Sequence, residues 1–308
     1  MVTWTTAEIP SQQGRTAIVT GAGGLGFQCA LALASAGANV IIASRNPDKG
    51  LIAVNHIRQI YPSAKVCFEV LDIADLSSIS AFSKRLQREW GSIDLLINNA
   101  AVMAPPKRLE TVDDFELQLG TNYLGHFALT AKLLPMLVKG NDARVINLSS
   151  IAARNGTIHL DDLQSEHQYK PMTAYAQSKL ACLMFSLELQ RRSDIAGWGI
   201  KSIAAHPGIS RTALIPNGSG SRSVAGIARR ILWFLFQPAA QGALPILFAA
   251  TSPQAQAGMY YGPDKLSETR GYPALAKIPP QAHETEIASS LWMVSEQLTG
   301  VAFSDEQF

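Results

Sequence analysis

The sequence predicts an α/β fold, a single doubly wound parallel sheet with helices on both faces, and three observations predict it. Short apolar runs rich in branched residues alternate strictly with helix-length periodic segments. A glycine-rich turn, TGAGGLG at 20–26, separates the first such run from the first periodic segment. With 308 residues, 47% hydrophobic and 16% charged, the chain is long enough to bury both faces of such a sheet.

The strand candidates are TAIVT (16–20), NVIIAS (39–44), KVCFEVLD (65–72), IDLLINN (93–99), RVINLSS (144–150) and IKSIAAHP (200–207). They are mainly apolar and branched rather than alternating, which reads as parallel strands buried on both faces. Helical periodicity fills the gaps near 24–37, 47–60, 76–90, 113–139 and 173–193, and a last helix is expected near 284–299. Around 209–240 the rhythm breaks: NGSGSRS is followed by ILWFLF, which reads as a mobile substrate lid carrying an apolar helix. Past Gly262 the chain is Pro-rich. No repeat or linker divides residues 1–308, so one domain is expected, with an insertion at 154–173, the lid, and an extension over about 263–308.

Composition excludes several functions. A net charge of +2 with no basic run argues against nucleic acid. Cys29, Cys67 and Cys182 are distant from one another and set among apolar neighbours, so they read as reduced core residues. His126, His159, His167 and His206 lack metal-ligand spacing, and no metal is expected. The leading MVTWTTAEIPSQQGR has no basic stretch followed by an apolar one, so a cytoplasmic location is expected. Arg229, Arg230, Gln237 and Pro238 interrupt the apolar stretch 225–250, so no integral membrane span is expected.

The glycine turn suits a dinucleotide pyrophosphate, which binds at a helix N-terminus reached through such a turn. Two templates fit it. Gly21, Gly23 and Gly26 match G-x-G-x-x-G, while Gly21, Gly24 and Gly26, around Leu25, almost match T-G-x-x-x-G-x-G with one residue missing. At the end of the second strand stand Ser44 and Arg45, with no acid before Asp48. A cation there favours the 2′-phosphate of NADP(H) over the free ribose of NAD(H). Asp72, followed by Ile73 at the end of the third strand, can accept from the adenine amino group or cap the helix that begins near Leu76.

Tyr175 and Lys179 stand four apart in TAYAQSK, which puts both on one helix face. A free phenol is a poor base at neutrality. An ammonium about 4 Å away, at an effective dielectric near 20, favours the phenolate by up to about 4 kcal/mol before water screens it. That makes Tyr175 a candidate acid–base group. Ser149 and Ser150 end a buried strand, and Asn122 lies in an otherwise apolar helix where an amide needs partners. Ser150 can hold a reacting oxygen, and Asn122 can anchor a water beside Lys179.

At these residues the chain resembles the short-chain dehydrogenase/reductase family over nearly all of 14–262. INNAA (97–101), TNYLGHF (121–127), INLSS (146–150), YAQSK (175–179) and AHPGISRT (205–212) stand in that family's order. The resemblance implies a Rossmann fold and a catalytic tetrad of Asn122, Ser150, Tyr175 and Lys179, the last two also touching the cofactor. It places Asn99, Ala100 and Ala101 near the adenine ribose, with Ala101 replacing a usual glycine, and Pro207, Gly208, Ile209 and Thr212 at the nicotinamide carboxamide. It also implies that TGAGGLG is the family's turn shortened by one residue.

The finer resemblance is to the retinol-dehydrogenase-like and protochlorophyllide-reductase-like branch, through TNYLGHFALT and the long insertion RNGTIHLDDLQSEHQYKPMT. Met172, Leu214, Ile215, Trp233, Phe234 and Phe236 then suggest a fairly large apolar substrate. The expected activity is NADP(H)-dependent interconversion of an alcohol and a carbonyl, by a monomer or homodimer. Two alternatives stand beside it: a cofactor-binding sensor that has lost turnover, suggested by the shortened turn, and a peripheral membrane enzyme seated through ILWFLF.

Overall fold

The computed structural model describes residues 3–210 and 236–303. Eight strands form one sheet in the order β3-β2-β1-β4-β5-β6-β7-β8. They are β1 Thr16–Thr20, β2 Asn39–Ser44, β3 Val66–Val70, β4 Leu95–Asn98, β5 Arg144–Leu148, β6 Lys201–Ala205, β7 Tyr260–Lys265 and β8 Arg270–Leu275. Pairing is parallel from β3 across to β7, and β8 returns antiparallel along the edge. The six expected strands are present, and the chain leaves β1 toward β2 on one side and reaches β4 on the other. That reversal opens a crevice at the carboxyl ends of β1 and β4, where doubly wound sheets bind ligands.

Alternation along the strands explains the layers. Ala17 and Val19 of β1 enter one apolar cluster while Ile18 enters another, and in β4 Leu95 and Ile97 separate from Leu96 in the same way. One face is covered by α1 Gly24–Ser35, α2 Pro47–Ile60 and the Leu244–Thr251 helix. The other carries α3 Leu76–Glu89, then, after a short α4 Leu117–Leu119, α5 Gly125–Val138 and α6 Pro171–Ala196. On that second face the C-terminal Thr285–Thr299 helix brings Trp292 against Phe127 and Phe185, closing an aromatic cluster with Phe303.

One expectation needs correction, and one pair of strands was not expected. The helix expected over 113–139 does not begin at 113: Glu110 and Glu116 bridge across a tight turn, in which Thr111 Oγ1 accepts from the Asp113 and Phe115 N–H groups. Regular helix begins only at Leu117, passes through a π turn at Gly120–Leu124, and continues as α5. The Pro-rich stretch after Gly262, for which no element was expected, enters the β7–β8 hairpin. Pro263 is tolerated because β7 pairs with β6 only through Tyr260 and Tyr261, and Pro273 because β8 is the edge strand.

The insertion runs from the 3-10 turn Ile151–Asn155 into irregular backbone tied down by side chains: Gln177 accepts from His159 N–H and donates to Leu163 O. Residues 211–235 of the expected lid lie outside the described residues, and with them Thr212, Leu214, Ile215, Trp233 and Phe234. The flanking Ser210 and Gln237 form a parallel bridge.

Candidate active site

The glycine turn follows β1 directly, with Gly21 N–H donating to Ala43 O at 2.7 Å. Its two competing templates are separated by backbone geometry. Gly24 has φ +52°, in the left-handed region, whereas Gly23 has φ −123° and a methyl group there would meet nothing within 4 Å. Gly26 is required by close approach, since a Cβ would lie 2.2 Å from Gly21 O and 2.7 Å from Asn99 Nδ2. Gly21, Gly24 and Gly26, the glycines of the shortened pattern, are thus the ones whose backbone calls for glycine, Gly21 at φ +92° and Gly24 at φ +52°. The N-terminus of α1 is left open to an anion.

A cleft of about 400 Å³ lies over this turn. Of the expected cofactor residues, Gly21, Gly23, Gly24, Leu25, Ser44, Arg45, Asp72, Ile73, Asn99, Ala100 and Ala101 line it, and Gly26 lies behind it against Gly21 and Asn99. Thr20, Asn46, Lys49, Val102 and Thr121 also line it and were not anticipated. Lys49 had a readable signal: it is one helical turn beyond Arg45, where Asn46 caps α2 by accepting from Lys49 N–H at 2.9 Å. Asp48 does not line the cleft, so its β2 end is cationic. Asp72 Oδ1 accepts from Ala74 N–H at 3.0 Å, and the cap of α3 is Asp75, which accepts from Ser77 and Ser78. The capping role weighed for Asp72 thus belongs to Asp75.

Beyond Val102 the sheet edge continues to the ends of β5 and β6. Tyr175 and Lys179 lie on α6, both buried. Lys179 Nζ donates to Leu148 O at 3.0 Å, and Ser149 Oγ donates to Lys179 O at 2.8 Å, so the helix is locked to the end of β5 from both sides. Ser150 Oγ accepts from Ala152 N–H at 3.2 Å, and the Tyr260 hydroxyl, contributed by the unanticipated β7, donates to Ser150 O at 3.4 Å. Asn122 sits in the π turn and clasps Val102, accepting from its N–H at 2.8 Å and donating to its carbonyl at 3.0 Å, with a third bond to Ser178 Oγ at 2.9 Å. Asn122 thereby joins the end of the cleft to the helix that carries Tyr175 and Lys179.

A model of the family described as short chain dehydrogenase matches residues 15–219. The chain belongs to the short-chain dehydrogenase family. Its relatives place it on the retinol-dehydrogenase-like branch of these oxidoreductases. It is 37% identical to the polyprenol dehydrogenase of Mus musculus, covering 96% of this chain and 87% of that one. Retinol dehydrogenase 13 of Mus musculus is 39% identical over 94% and 85%, and retinol dehydrogenase 12 of Homo sapiens 37% identical over 94% and 87%. A crystal structure of an uncharacterized protein from Mycobacterium Paratuberculosis is similar at 38% identity and TM-score 0.82, over 98% of this chain and all of that one. A short chain dehydrogenase from Shigella flexneri, solved with NADP, shares the fold at 20% identity and TM-score 0.65, over 82% and 98%.

In this short-chain dehydrogenase the segment after β6 is held by the C-terminal extension. Ile209 N–H donates to Thr269 O at 2.8 Å, and Pro207 O accepts from Ser210 Oγ and Gln237 Nε2. His206 Nδ1 accepts from Gly208 N–H at 3.2 Å, while Nε2 lies 2.9 Å from Glu268 Oε2. Glu268 also pairs with Arg154 at 2.6 Å, so the β7–β8 turn clamps the Ser150 loop and the Pro207–Ile209 segment together. Among the described residues no helix is long and apolar enough to cross a membrane, and no His, Cys, Asp and Glu group could hold a metal ion. Burial pushes the Cys29 thiol up to about 12 and raises that of Cys182, in keeping with inert core positions, and it raises that of the half-buried Cys67 as well.

Proposed function

We propose that this short-chain dehydrogenase interconverts an alcohol and a carbonyl on a fairly large apolar substrate, using NADP(H) with Tyr175 as proton donor and acceptor. The observation that carries the reading is the buried Tyr175–Lys179 pair on α6, anchored beside Ser150 and joined by Asn122 to a cleft whose β2 end is cationic. The residues fit the cofactor: Gly26 lets the turn close on Gly21 O and Asn99 where a Cβ would clash, α1 opens its N-terminus to the pyrophosphate, and Arg45 and Lys49 stand where a 2′-phosphate would lie. When bound, the cofactor supplies or accepts a hydride at its nicotinamide.

The chain supplies the rest. Ser150 Oγ donates to the substrate oxygen and stabilises the charge it gains during reduction. The Tyr175 hydroxyl gives that oxygen its proton and takes it back in the oxidising direction. Lys179, fixed by Leu148 O, adds a positive field that favours the phenolate left behind. Asn122 holds Val102 and Ser178 in register with this group. Met172, almost one turn before Tyr175 on the same helix, is 46% exposed and offers apolar surface to the substrate. Relatives named for retinol and polyprenol suggest an isoprenoid alcohol or aldehyde.

Titration of the protein with NADPH and NADH by fluorescence, followed by aldehyde and ketone reduction with Tyr175→Phe as control, tests the reading. Preference for NADPH with turnover lost in Tyr175→Phe is the expected result. Tight binding without tyrosine-dependent turnover across a broad carbonyl panel would instead favour a cofactor sensor. Sedimentation with liposomes addresses the peripheral-membrane reading, and the protein is expected in the supernatant.

A further inference from the structure

His126 lies in the first turn of α5, is 3% exposed, and touches both halves of the site. Thr20, at the end of β1, uses its hydroxyl oxygen to accept from two backbone N–H groups, those of Asn99 at 2.8 Å and Ala100 at 2.9 Å. Both residues line the dinucleotide cleft. With its lone pairs taken, the Thr20 hydroxyl must donate its proton, and His126 Nε2 at 3.0 Å is a nearer acceptor than Ile97 O at 3.3 Å.

The other ring nitrogen fixes the assignment. His126 Nδ1 lies 3.0 Å from the main-chain oxygen of Asn122, an atom that can only accept, so Nδ1 carries the proton. Burial, opposed by that hydrogen bond and reinforced by the charge of Lys179, holds the imidazole down to about 4, and the ring is neutral at physiological pH. A neutral ring protonated at Nδ1 leaves Nε2 bare, which is what the Thr20 hydroxyl requires. The proton positions therefore agree around the whole chain from Ala100 to Asn122.

Resting on the function proposed above, we propose that His126 is a positioning residue that couples the two halves of the site. Through Nε2 it orients Thr20 and so the Asn99–Ala100 floor of the cofactor cleft. Through Nδ1–H it holds the Asn122 main chain at the π turn, and with it the bonds to Val102 and Ser178 beside Tyr175.

This division between the two nitrogens is testable, because an asparagine amide reaches about as far as Nδ1 and a glutamine amide about as far as Nε2. His126→Asn keeps a donor for Asn122 and loses the Thr20 contact. Its effect is expected mainly on NADPH binding without substrate, with Kd raised about tenfold, the loss of one buried hydrogen bond. His126→Gln keeps an acceptor for Thr20 and loses the Asn122 contact, so kcat at saturating cofactor is expected to fall by about tenfold with a smaller change in Kd. In the unliganded wild type, ring-nitrogen shifts of 15N-histidine-labelled protein are expected to show His126 protonated at Nδ1 alone.

Folded variants in which Kd and kcat change in the same proportion, or not at all, would overturn the proposal. So would a wild-type ring protonated at Nε2, a measurement that decides even where a variant fails to fold. Absence of NADPH binding or of Tyr175-dependent turnover in the wild type would count against the proposed function instead, and the two failures are distinguishable.

Discussion

Acidification through the range where Glu268 takes up a proton should release the clamp between the β7–β8 turn and the two loops beside it. Its Oε2 lies 2.6 Å from Arg154 and 2.9 Å from His206 Nε2, and Oε1 accepts from Lys277 N–H at 3.0 Å. Burial alone would raise the proton affinity of this carboxyl. The hydrogen bonds from His206 and Lys277, with the neighbouring positive charges, outweigh burial and hold it at about 2 instead of 4.5. His206 is itself pulled below its ordinary value by burial, against the pull of Glu268. The Gly208 N–H occupies its Nδ1, so the neutral ring donates from Nε2 and the ionic partner at neutral pH is Arg154.

Because the folded value lies below the unfolded one, the unfolded chain binds the proton first. The contribution is complete above about pH 4.5 and is lost as pH falls through about 2. A difference of about 2.5 between the two values sets a ceiling of about 3.4 kcal/mol. The Glu268 and Arg154 side chains are 18% and 30% exposed, and solvent screening reduces the expectation to about 1–2 kcal/mol. Urea denaturation of the wild type and Glu268→Gln from pH 7 to pH 3 measures it. The variant should be less stable at pH 7 by that amount, with the gap narrowing below pH 4.5. A gap that is absent at pH 7, or constant across the range, refutes the electrostatic reasoning.

Further outcomes follow from the glycine turn, the cationic end of the cleft and the aromatic cluster. Gly26→Ala places a Cβ 2.2 Å from Gly21 O, and NADPH affinity should drop by tenfold or more with little change in circular dichroism, whereas Gly23→Ala, which lines the cleft but whose Cβ meets no protein atom within 4 Å, should cost clearly less. Equal losses in the two would contradict the template assignment. Lys49→Ala should weaken NADPH by about tenfold and leave NADH unchanged, if this residue meets the 2′-phosphate as a charge-assisted partner. Tyr123→Phe removes a buried bond of 2.7 Å to Ser295, and thermal or urea unfolding should register about 1 kcal/mol, since Ser295 keeps its bond to Leu291 O. Trp292→Ala, which empties a fully buried position in the same cluster, should cost about 3–5 kcal/mol in the same assay.

What the sequence disclosed was what local patterns encode. Runs such as Ala17-Ile18-Val19 and Leu95-Leu96-Ile97 are apolar on both faces and bounded by helical periodicity, so the core of the sheet and its crevice were readable. The Tyr175–Lys179 spacing and the residues at the strand ends were readable because helix and strand geometry fix them within a few positions. The hairpin of β7 and β8 was hidden because Pro263 and Pro273 argue against strands, and only the short pairing with β6 and the edge position make them tolerable. Side-chain-built turns were hidden for a related reason: the delay of regular helix to Leu117 depends on how Thr111 is bonded, and the cap of α3 on the choice between two nearby aspartates.

The glycine turn makes the limit sharpest. TGAGGLG offers two adjacent glycines at which φ could turn positive after Gly21, and composition cannot rank Gly23 against Gly24. The folded backbone ranks them, with φ −123° at Gly23 and +52° at Gly24, while Gly26 is fixed by the approach of Gly21 O and of Asn99, far away in sequence. The clamp around Glu268 obeys the same logic, joining Arg154, His206 and Lys277 across 123 positions of sequence. Contacts of that separation leave no periodic trace. A site completed by them can be anticipated in its reacting groups and still be unreadable in the residues that hold those groups in place.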